Sequence, residues 1–285
     1  MWLAAAETLQ LLGAGLLSGF LGGFLGVGGG IVFVPLLTAW FALNGGRLLA
    51  AGGPEATTTF ADGVLWVIAN SLFLTLVSAL AGSWKQYRMG NFHWKAVLLV
   101  GLPGGLSGLA TSALIARPGL YDQRSFALFF TLLMLPILWR MLRPERGGQP
   151  PQAVDGIPSR PLWIAGLAGG VVSSLSGLGG GVVLVPVLSG MLRMPLFTAT
   201  SISLGSIAVM SIFHSLWYAF AFPAPALPGG WGMLYPPVLL PLVAGILIAA
   251  PLGVKAHKAA PPWVVKITML LMFSLAVLQL NFNGS

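Results

Sequence analysis

The sequence contains no cysteine, and this absence excludes several kinds of chemistry. Without thiols the chain can form no disulfide, no thiolate metal site and no cysteine nucleophile. Charge is also scarce, because Asp, Glu, Lys and Arg make up only 7% of the residues. A soluble globular domain carries roughly a quarter charged residues. Most of the surface of this protein therefore cannot face water.

Apolar sequence is abundant instead. Hydrophobic residues make up 56% of the chain, and several stretches exceed the roughly 20 apolar residues that a helix needs to cross a bilayer. Met1–Leu25 lacks the basic start and the cleavage site of a signal peptide, so we interpret it as a retained membrane segment. The composition predicts an all-α polytopic membrane protein.

The net charge of +8 comes from basic residues that lie in loops between apolar segments. Basic loops of this kind stay on the cytoplasmic side and orient a protein in its membrane. The charge therefore indicates the lipid bilayer as a partner and gives no indication of nucleic acid.

Two glycine-rich stretches indicate an internal repeat. Gly15–Leu37 aligns without a gap with Gly166–Leu188, and the glycine triplet 28–30 coincides with the triplet 179–181. Between the two copies lies a polar stretch rich in proline and glycine, which is typical of a solvated linker. We therefore predict a first membrane repeat at 1–142, a linker at 143–161 and a second membrane repeat at 162–285.

Each repeat divides into about five segments, which gives 8–10 membrane segments. In the first repeat they are Leu3–Leu25, Ile31–Leu43, Ala56–Ser83, Trp94–Ile115 and Leu120–Leu142. In the second they are Leu162–Ser176, Val182–Leu192, Leu196–Phe222, Leu234–Val254 and Trp263–Leu280. The second segment of each repeat is too short to span comfortably, so it predicts either a cramped span or a re-entrant hairpin.

An odd number of crossings per repeat requires equivalent loops to face opposite sides. The loop "KQYRMGNFHWK" is basic, whereas its counterpart Pro223–Pro237 carries no charge. The positive-inside rule then places the linker in the cytoplasm and both termini outside. Two inverted-topology repeats are the architecture of many secondary transporters, whose substrate lies near the midplane where the repeats meet.

The glycine triplets predict broken helices inside the membrane. Glycine costs roughly 1 kcal/mol per residue in a helix interior, so Gly28, Gly29 and Gly30, and likewise Gly179, Gly180 and Gly181, should interrupt it. The helix that restarts after each triplet has unpaired N–H groups and a partial positive charge at its N-terminus. Two such ends meeting from opposite sides would bind a small anion. Close helix packing is the alternative role of these glycines.

Two polar clusters follow the glycine motifs, and their hydroxyls are candidates for anion binding. They are "TTTFAD", with Thr57 and Thr58, and "TATSIS", with Thr200 and Ser201. Helix capping and bonds to the preceding turn are the alternative.

Asp62 and His214 are the ionisable residues well within predicted spans. An ionisable group at membrane depth is a functional candidate by default, so both are candidates for coupling transport to an ion. A hydrated Asp62 near the membrane face and a neutral, hydrogen-bonded His214 remain alternatives. The sequence indicates neither a cofactor nor a resident metal site.

The sequence resembles the sulfite exporter TauE/SafE family at these same motifs. "GFLGGFLGVGGGIVFVPLL", "GGVVSSLSGLGGGVVLVPVL" and "GNFHWK" carry the resemblance, which extends over essentially the whole chain. It implies a duplicated helical carrier that moves sulfite, organosulfonates or related small anions across the cytoplasmic membrane, usually outward. Asp62 departs from the pattern, because it places an acid in a segment that is generally neutral in the family.

We therefore expect a secondary transporter for a small oxyanion in the cell inner membrane, and no enzyme activity. Two alternatives stay open. One is a carrier for a metal or another cation that uses Asp62 as a ligand, and the other is a membrane assembly factor without transport. The sequence does not determine the anion, the coupling ion or the oligomeric state.

Overall fold

The structure is a computed structural model that describes residues 5–59, 63–117, 156–221 and 229–282, with isolated positions between 121 and 135. Side chains are not described at 47–59, 273 and 276–282. Within these ranges the chain is helical and contains no β-strand, only an isolated bridge between Trp231 and Leu234. The prediction of an all-α protein is confirmed.

The described helices are numbered here in chain order. They are α1 (Ala5–Leu25), α2 (Gly30–Thr59), α3 (Val64–Arg88), α4 (Trp94–Ile115), α5 (Ser159–Ser176), α6 (Gly181–Pro186), α7 (Leu196–Leu216), α8 (Pro236–Ala259) and α9 (Pro262–Phe282). Two π-helical turns, Val187–Met191 and Trp217–Ala221, extend α6 and α7. Helices α1, α3, α4 and α8, and α7 with its π-helical turn, are long and apolar enough to cross a membrane. The protein is a multi-pass membrane protein.

One predicted segment differs clearly from the structure. We expect a short helix at Ile31–Leu43, but α2 runs as one helix to Thr59. Its interior glycines each cost roughly 1 kcal/mol, which is less than the several kcal/mol lost for each backbone group left unpaired in a nonpolar surrounding. The helix therefore continues through them. As a result "TTT" ends α2, and the third segment begins at Val64 instead of Ala56.

Small residues bring two pairs of helices into close backbone contact. On α1, Cβ atoms placed on Gly15, Gly19 and Gly23 would lie 2.4, 2.7 and 2.1 Å from backbone atoms of Leu242, Ile246 and Ala250 of α8. The contacts advance in the same direction on both helices, so α1 and α8 are parallel.

The α4–α5 pair repeats this arrangement. Cβ atoms placed on Gly166 and Gly170 of α5 would lie 2.3 and 1.9 Å from the carbonyl oxygens of Val100 and Gly104. These two helices are therefore also parallel. Gly101–Gly108 thus has the packing role that its spaced glycines indicate.

Helices α3 and α7 are the most buried of the candidate spans and lie at the centre. A Cβ on Gly82 of α3 would lie 3.0 Å from Leu204 of α7, whereas Thr75 and Ile207 meet at Gly28. The order of contacts reverses between the two helices, so α3 and α7 are antiparallel.

Each central helix is parallel to a helix from the other half of the chain. Asn70 of α3 bonds Met233 O and Tyr235 N just before α8, and Gly82 faces Val254 further along. Helix α7 runs parallel to α4 in the same way. Its Ser206 Oγ lies 3.3 Å from Val97 O, and its Phe213 packs on Gly105.

Candidate functional site

The helix breaks occur at the glycine motifs, as predicted. Gly26, Gly28 and Gly29 have φ of 72°, 75° and 80°. The equivalent residues 177, 179 and 180 have φ of 71°, 75° and 78°. These left-handed values are easy for glycine and costly for any residue with a Cβ. The third glycine of each triplet is the first residue of the next helix.

Each break is bonded to the central helix of the other half of the chain. Ser71 Oγ of α3 donates to Gly177 O at 2.8 Å, and Ser203 Oγ of α7 donates to Gly26 O at 2.9 Å. Both serines and both glycines are buried. The two hydrogen bonds are reciprocal, so neither break is placed by its own half alone.

The two breaks also contact each other. A Cβ placed on Gly30 would lie 2.6 Å from Leu178 Cα, and one on Gly181 would lie 2.6 Å from Val27 Cα. The start of α2 therefore packs on the second break, and the start of α6 packs on the first.

Two side chains from the central helices fill the remaining space between the breaks. Cβ atoms placed on Gly28 and Gly179 would lie 2.8 and 2.4 Å from Thr75 Cγ2, and 3.3 and 3.1 Å from Ile207 Cγ2. Thr75 and Ile207 therefore lie between Gly28 and Gly179.

Backbone N–H groups are left over at both breaks. The first bonds of the restarted helices run from Val32 and Phe33 to Gly29 O, and from Val183 and Leu184 to Gly180 O. Among the hydrogen bonds of the described residues, the amides of 28–31 and 179–182 have no acceptor. Unpaired amides with a helix N-terminus behind them favour a negative charge.

Three predicted site residues cannot be placed. Thr57 and Thr58 lie in the last turn of α2, but their side chains are outside the described residues. Asp62 lies wholly outside the described residues. Their roles remain predictions.

Thr200 and Ser201 are placed differently relative to the breaks. Thr200 packs its Cβ and methyl group on Gly26, and its hydroxyl donates to Phe197 O at 2.9 Å. Ser201 donates to the carbonyl of Asn91, in the α3–α4 turn. Both hydroxyls thus have backbone partners, and only Thr200 adjoins a break.

His214 of α7 lies against α4 and α5, and its partner Ser174 is about one turn before Gly177 of the second break. Its Nε2 is 2.8 Å from Ser174 Oγ, which also lies 2.7 Å from Gly108 O. The imidazole is fully buried. The described residues contain no group of three or more His, Asp or Glu that could hold a metal ion.

Two residues that sequence reasoning missed are Thr75 and Ser78 of α3. Both are fully buried, and neither hydroxyl has a hydrogen-bond partner. Burying an unbonded hydroxyl costs roughly 1–3 kcal/mol. Residues 71, 75 and 78 share one face of a helix, and this spacing of hydroxyls in an apolar segment is the signal that could have found them.

The known proteins that this chain resembles are membrane transporters, and the resemblance extends over most of its length. A sequence model of the family described as sulfite exporter TauE/SafE matches residues 11–280. A probable membrane transporter protein of Methanocaldococcus jannaschii is 24% identical over 264 residues, covering 91% of this chain and 90% of that protein. A probable membrane transporter protein of Haemophilus influenzae is 24% identical over 263 residues, covering 89% and 90%. One from Xylella fastidiosa is 28% identical over 216 residues, covering 75% and 74%. No solved structure matches the chain.

Proposed function

This chain belongs to the sulfite exporter TauE/SafE family of membrane transporters, and we propose that it is a secondary transporter for a small oxyanion. The solute that we favour is sulfite or a short organosulfonate, moved outward across the cell inner membrane. The description of the family as sulfite exporters supports this choice. So does the pair of amide-lined helix breaks.

The two halves of the chain, 1–142 and 162–285, act in this proposal as inverted repeats joined by a cytoplasmic linker. The helix directions support it. Helix α1 is parallel to α3 and α8, whereas α5 is parallel to α4 and α7. The equivalent helices α1 and α5, α3 and α7, and α4 and α8 therefore run in opposite directions.

The observation that carries the proposal is the meeting of two helix breaks with unpaired amides at the buried centre. Gly28–Gly30 and Gly179–Gly181 would hold the anion between them, and Thr200 would lie beside Gly26. Because Thr75 and Ile207 lie between Gly28 and Gly179, we expect binding to require these two side chains to move apart. Rocking of one repeat against the other would open this space to each side in turn.

The other predicted residues keep subsidiary roles in this proposal. Thr57, Thr58 and Ser201 would line the approach to the glycines. Asp62 and His214 are the candidates for coupling to an ion. An ionisable group at membrane depth is a functional candidate by default, and the alternatives are a hydrated Asp62 near the membrane face and a neutral, hydrogen-bonded His214.

Flux through purified protein in liposomes tests the proposal. We expect the wild type to release sulfite loaded into the liposomes faster than empty liposomes do. Gly29→Leu and Gly180→Leu should abolish this flux, because each side chain would occupy a left-handed backbone position inside a break. Gly46→Leu is the matched control, since a Cβ there meets nothing within 4 Å.

Two results would contradict the proposal. One is the absence of sulfite, sulfate and sulfoacetate movement from a correctly folded wild type. The other is full flux in both Gly29→Leu and Gly180→Leu. Transport of a divalent cation that is lost in Asp62→Asn would favour the cation carrier instead.

A further inference from the structure

We propose that the hydroxyl groups of Thr75 and Ser78 on α3 bind the transported anion, at the break that begins α2. This inference rests on the proposed function and assigns two residues to its site. It also makes the site asymmetric, with its polar side on the first half of the chain.

The hydrogen bonding and the position of Thr75 and Ser78 together distinguish them from other helical hydroxyls. A serine or threonine in an apolar helix commonly bonds the carbonyl four residues earlier, as Thr38 and Thr111 do. Thr75 and Ser78 do not, although both are fully buried, and Ser173 and Ser211 are likewise fully buried without a partner. Thr75 and Ser78 are singled out by their position at the first break, where their hydroxyls can reach a solute.

Both residues adjoin the leftover amides of the first break. Ser78 Oγ and Gly29 N each lie 2.7 Å from the point that a Cβ on Gly22 would occupy. Thr75 lies between Gly28 and Gly179 with its methyl group towards both. The N-terminus of the 30-residue helix α2 and two unbonded hydroxyls therefore surround one small region.

Thr75 can exchange its methyl and hydroxyl groups by rotation about χ1. Threonine in a helix divides between two χ1 rotamers, unlike valine. In this structure the methyl group closes the space between the glycines. The other rotamer would turn the hydroxyl towards them, where it could donate to an oxyanion.

The matching positions of α7 carry no hydroxyls. The reciprocal bonds of Ser71 and Ser203 set the register of the two central helices. Four and seven residues further on, α3 has Thr75 and Ser78, whereas α7 has Ile207 and Met210. At these positions the negative group of the solute is therefore expected to lie nearer α3 than α7.

Binding of sulfite to the purified full-length protein tests this inference by titration calorimetry. A hydrogen bond to a charged group is worth roughly a tenfold or greater change in affinity. We expect Thr75→Val and Ser78→Ala each to weaken sulfite binding about tenfold or more. Thr75→Ser, which keeps the hydroxyl, should bind within about threefold of wild type. Thr111→Val is the matched control, since its hydroxyl bonds its own helix.

A purely structural role predicts the reverse pattern. It predicts a changed melting temperature for Thr75→Val and Ser78→Ala with unchanged sulfite affinity, and unchanged affinity in both variants would overturn the inference. Equal losses in Thr75→Ser and Thr75→Val would also overturn it, because the methyl contact would then be responsible. If Thr75→Val does not fold, unchanged affinity in Ser78→Ala decides against the inference in the same way.

The inference and the proposed function fail in different ways. A wild type that binds none of sulfite, sulfate and sulfoacetate removes both. A wild type that binds sulfite while both hydroxyl variants bind equally well leaves the proposed function standing and removes only the roles of Thr75 and Ser78.

Discussion

Adding a single methyl group at Gly30 or Gly181 would obstruct the contact between the two breaks. At Gly30 a Cβ would lie 2.6 Å from Leu178 Cα, and at Gly181 it would lie 2.6 Å from Val27 Cα. Both obstacles are backbone atoms, which cannot rotate away as a flexible side chain can. Glycine is therefore required at Gly30 and Gly181 by contact, whereas the glycines just before them are required by their left-handed conformation.

We expect Gly30→Ala to destabilise the protein by about 1–3 kcal/mol, the usual cost of overpacking a buried site. Gly46→Ala in the same helix should raise stability by up to about 1 kcal/mol, because alanine is the better helix former and its Cβ meets nothing within 4 Å. Thermal unfolding in detergent compares the two variants. A Gly30→Ala protein as stable as Gly46→Ala would mean that the breaks do not touch.

At the scale of elements, glycines at every fourth position set how closely helices approach. Gly15, Gly19 and Gly23 give α1 a flat face against α8, and α5 uses Gly166 and Gly170 against α4 in the same manner. Between apolar helices in lipid, such close van der Waals contact replaces the hydrophobic effect as the main attraction. These pairs join different halves of the chain, so they hold the two halves together.

Gly19→Leu should prevent α1 from packing on α8 and yield little folded protein, because a Cβ there would already lie 2.7 Å from Ile246 Cα. Gly13→Leu is the control on the same helix, where a Cβ meets nothing within 4 Å. Size-exclusion chromatography of the two variants measures the fraction that is folded and monodisperse. Equal profiles would show that the α1 glycine face does not support the fold.

At the scale of the whole molecule, the proposed inverted repeats place equivalent loops on opposite sides of the membrane. The α3–α4 turn is basic and belongs in the cytoplasm under the positive-inside rule. The segment before α8, which contains Trp231, belongs outside. The absence of cysteine makes this arrangement easy to test.

Single cysteines at Tyr87 and Trp231 report the side of each loop, since these side chains are 53% and 57% exposed. In intact spheroplasts a membrane-impermeant maleimide should label Trp231→Cys fully. It should label Tyr87→Cys only after permeabilisation. Labelling of both from the same side would contradict the inverted topology. The cysteine-free parent is the control for background labelling.

Much of the local structure could be predicted from the sequence. Trp94–Ile115 coincides with α4, and the segments of the second half match α5–α9, counted with the two π-helical turns, to within five residues at each end. The breaks were predictable because the ability of glycine to adopt φ above zero, and its weak tendency to form helix, are properties of the residue itself. The end of α2 was not predictable, because each glycine in its interior is a weak signal. The free-energy cost of leaving backbone groups unpaired outweighed the cost of these glycines in a helix.

The class of the protein, the positions of most helices and the two interruptions follow from the amino-acid sequence, since composition and backbone preference act locally. Which elements meet depends on the three-dimensional fold. Three features depend on residues far apart in the chain. They are the packing of helices from different halves, the hydrogen bond from Ser201 to Asn91 O, and the lack of a hydrogen-bond partner for Thr75 and Ser78. A hydroxyl in the sequence is the same whether its helix, a distant loop or a solute accepts its hydrogen bond, so its role follows from what the fold brings within hydrogen-bond distance.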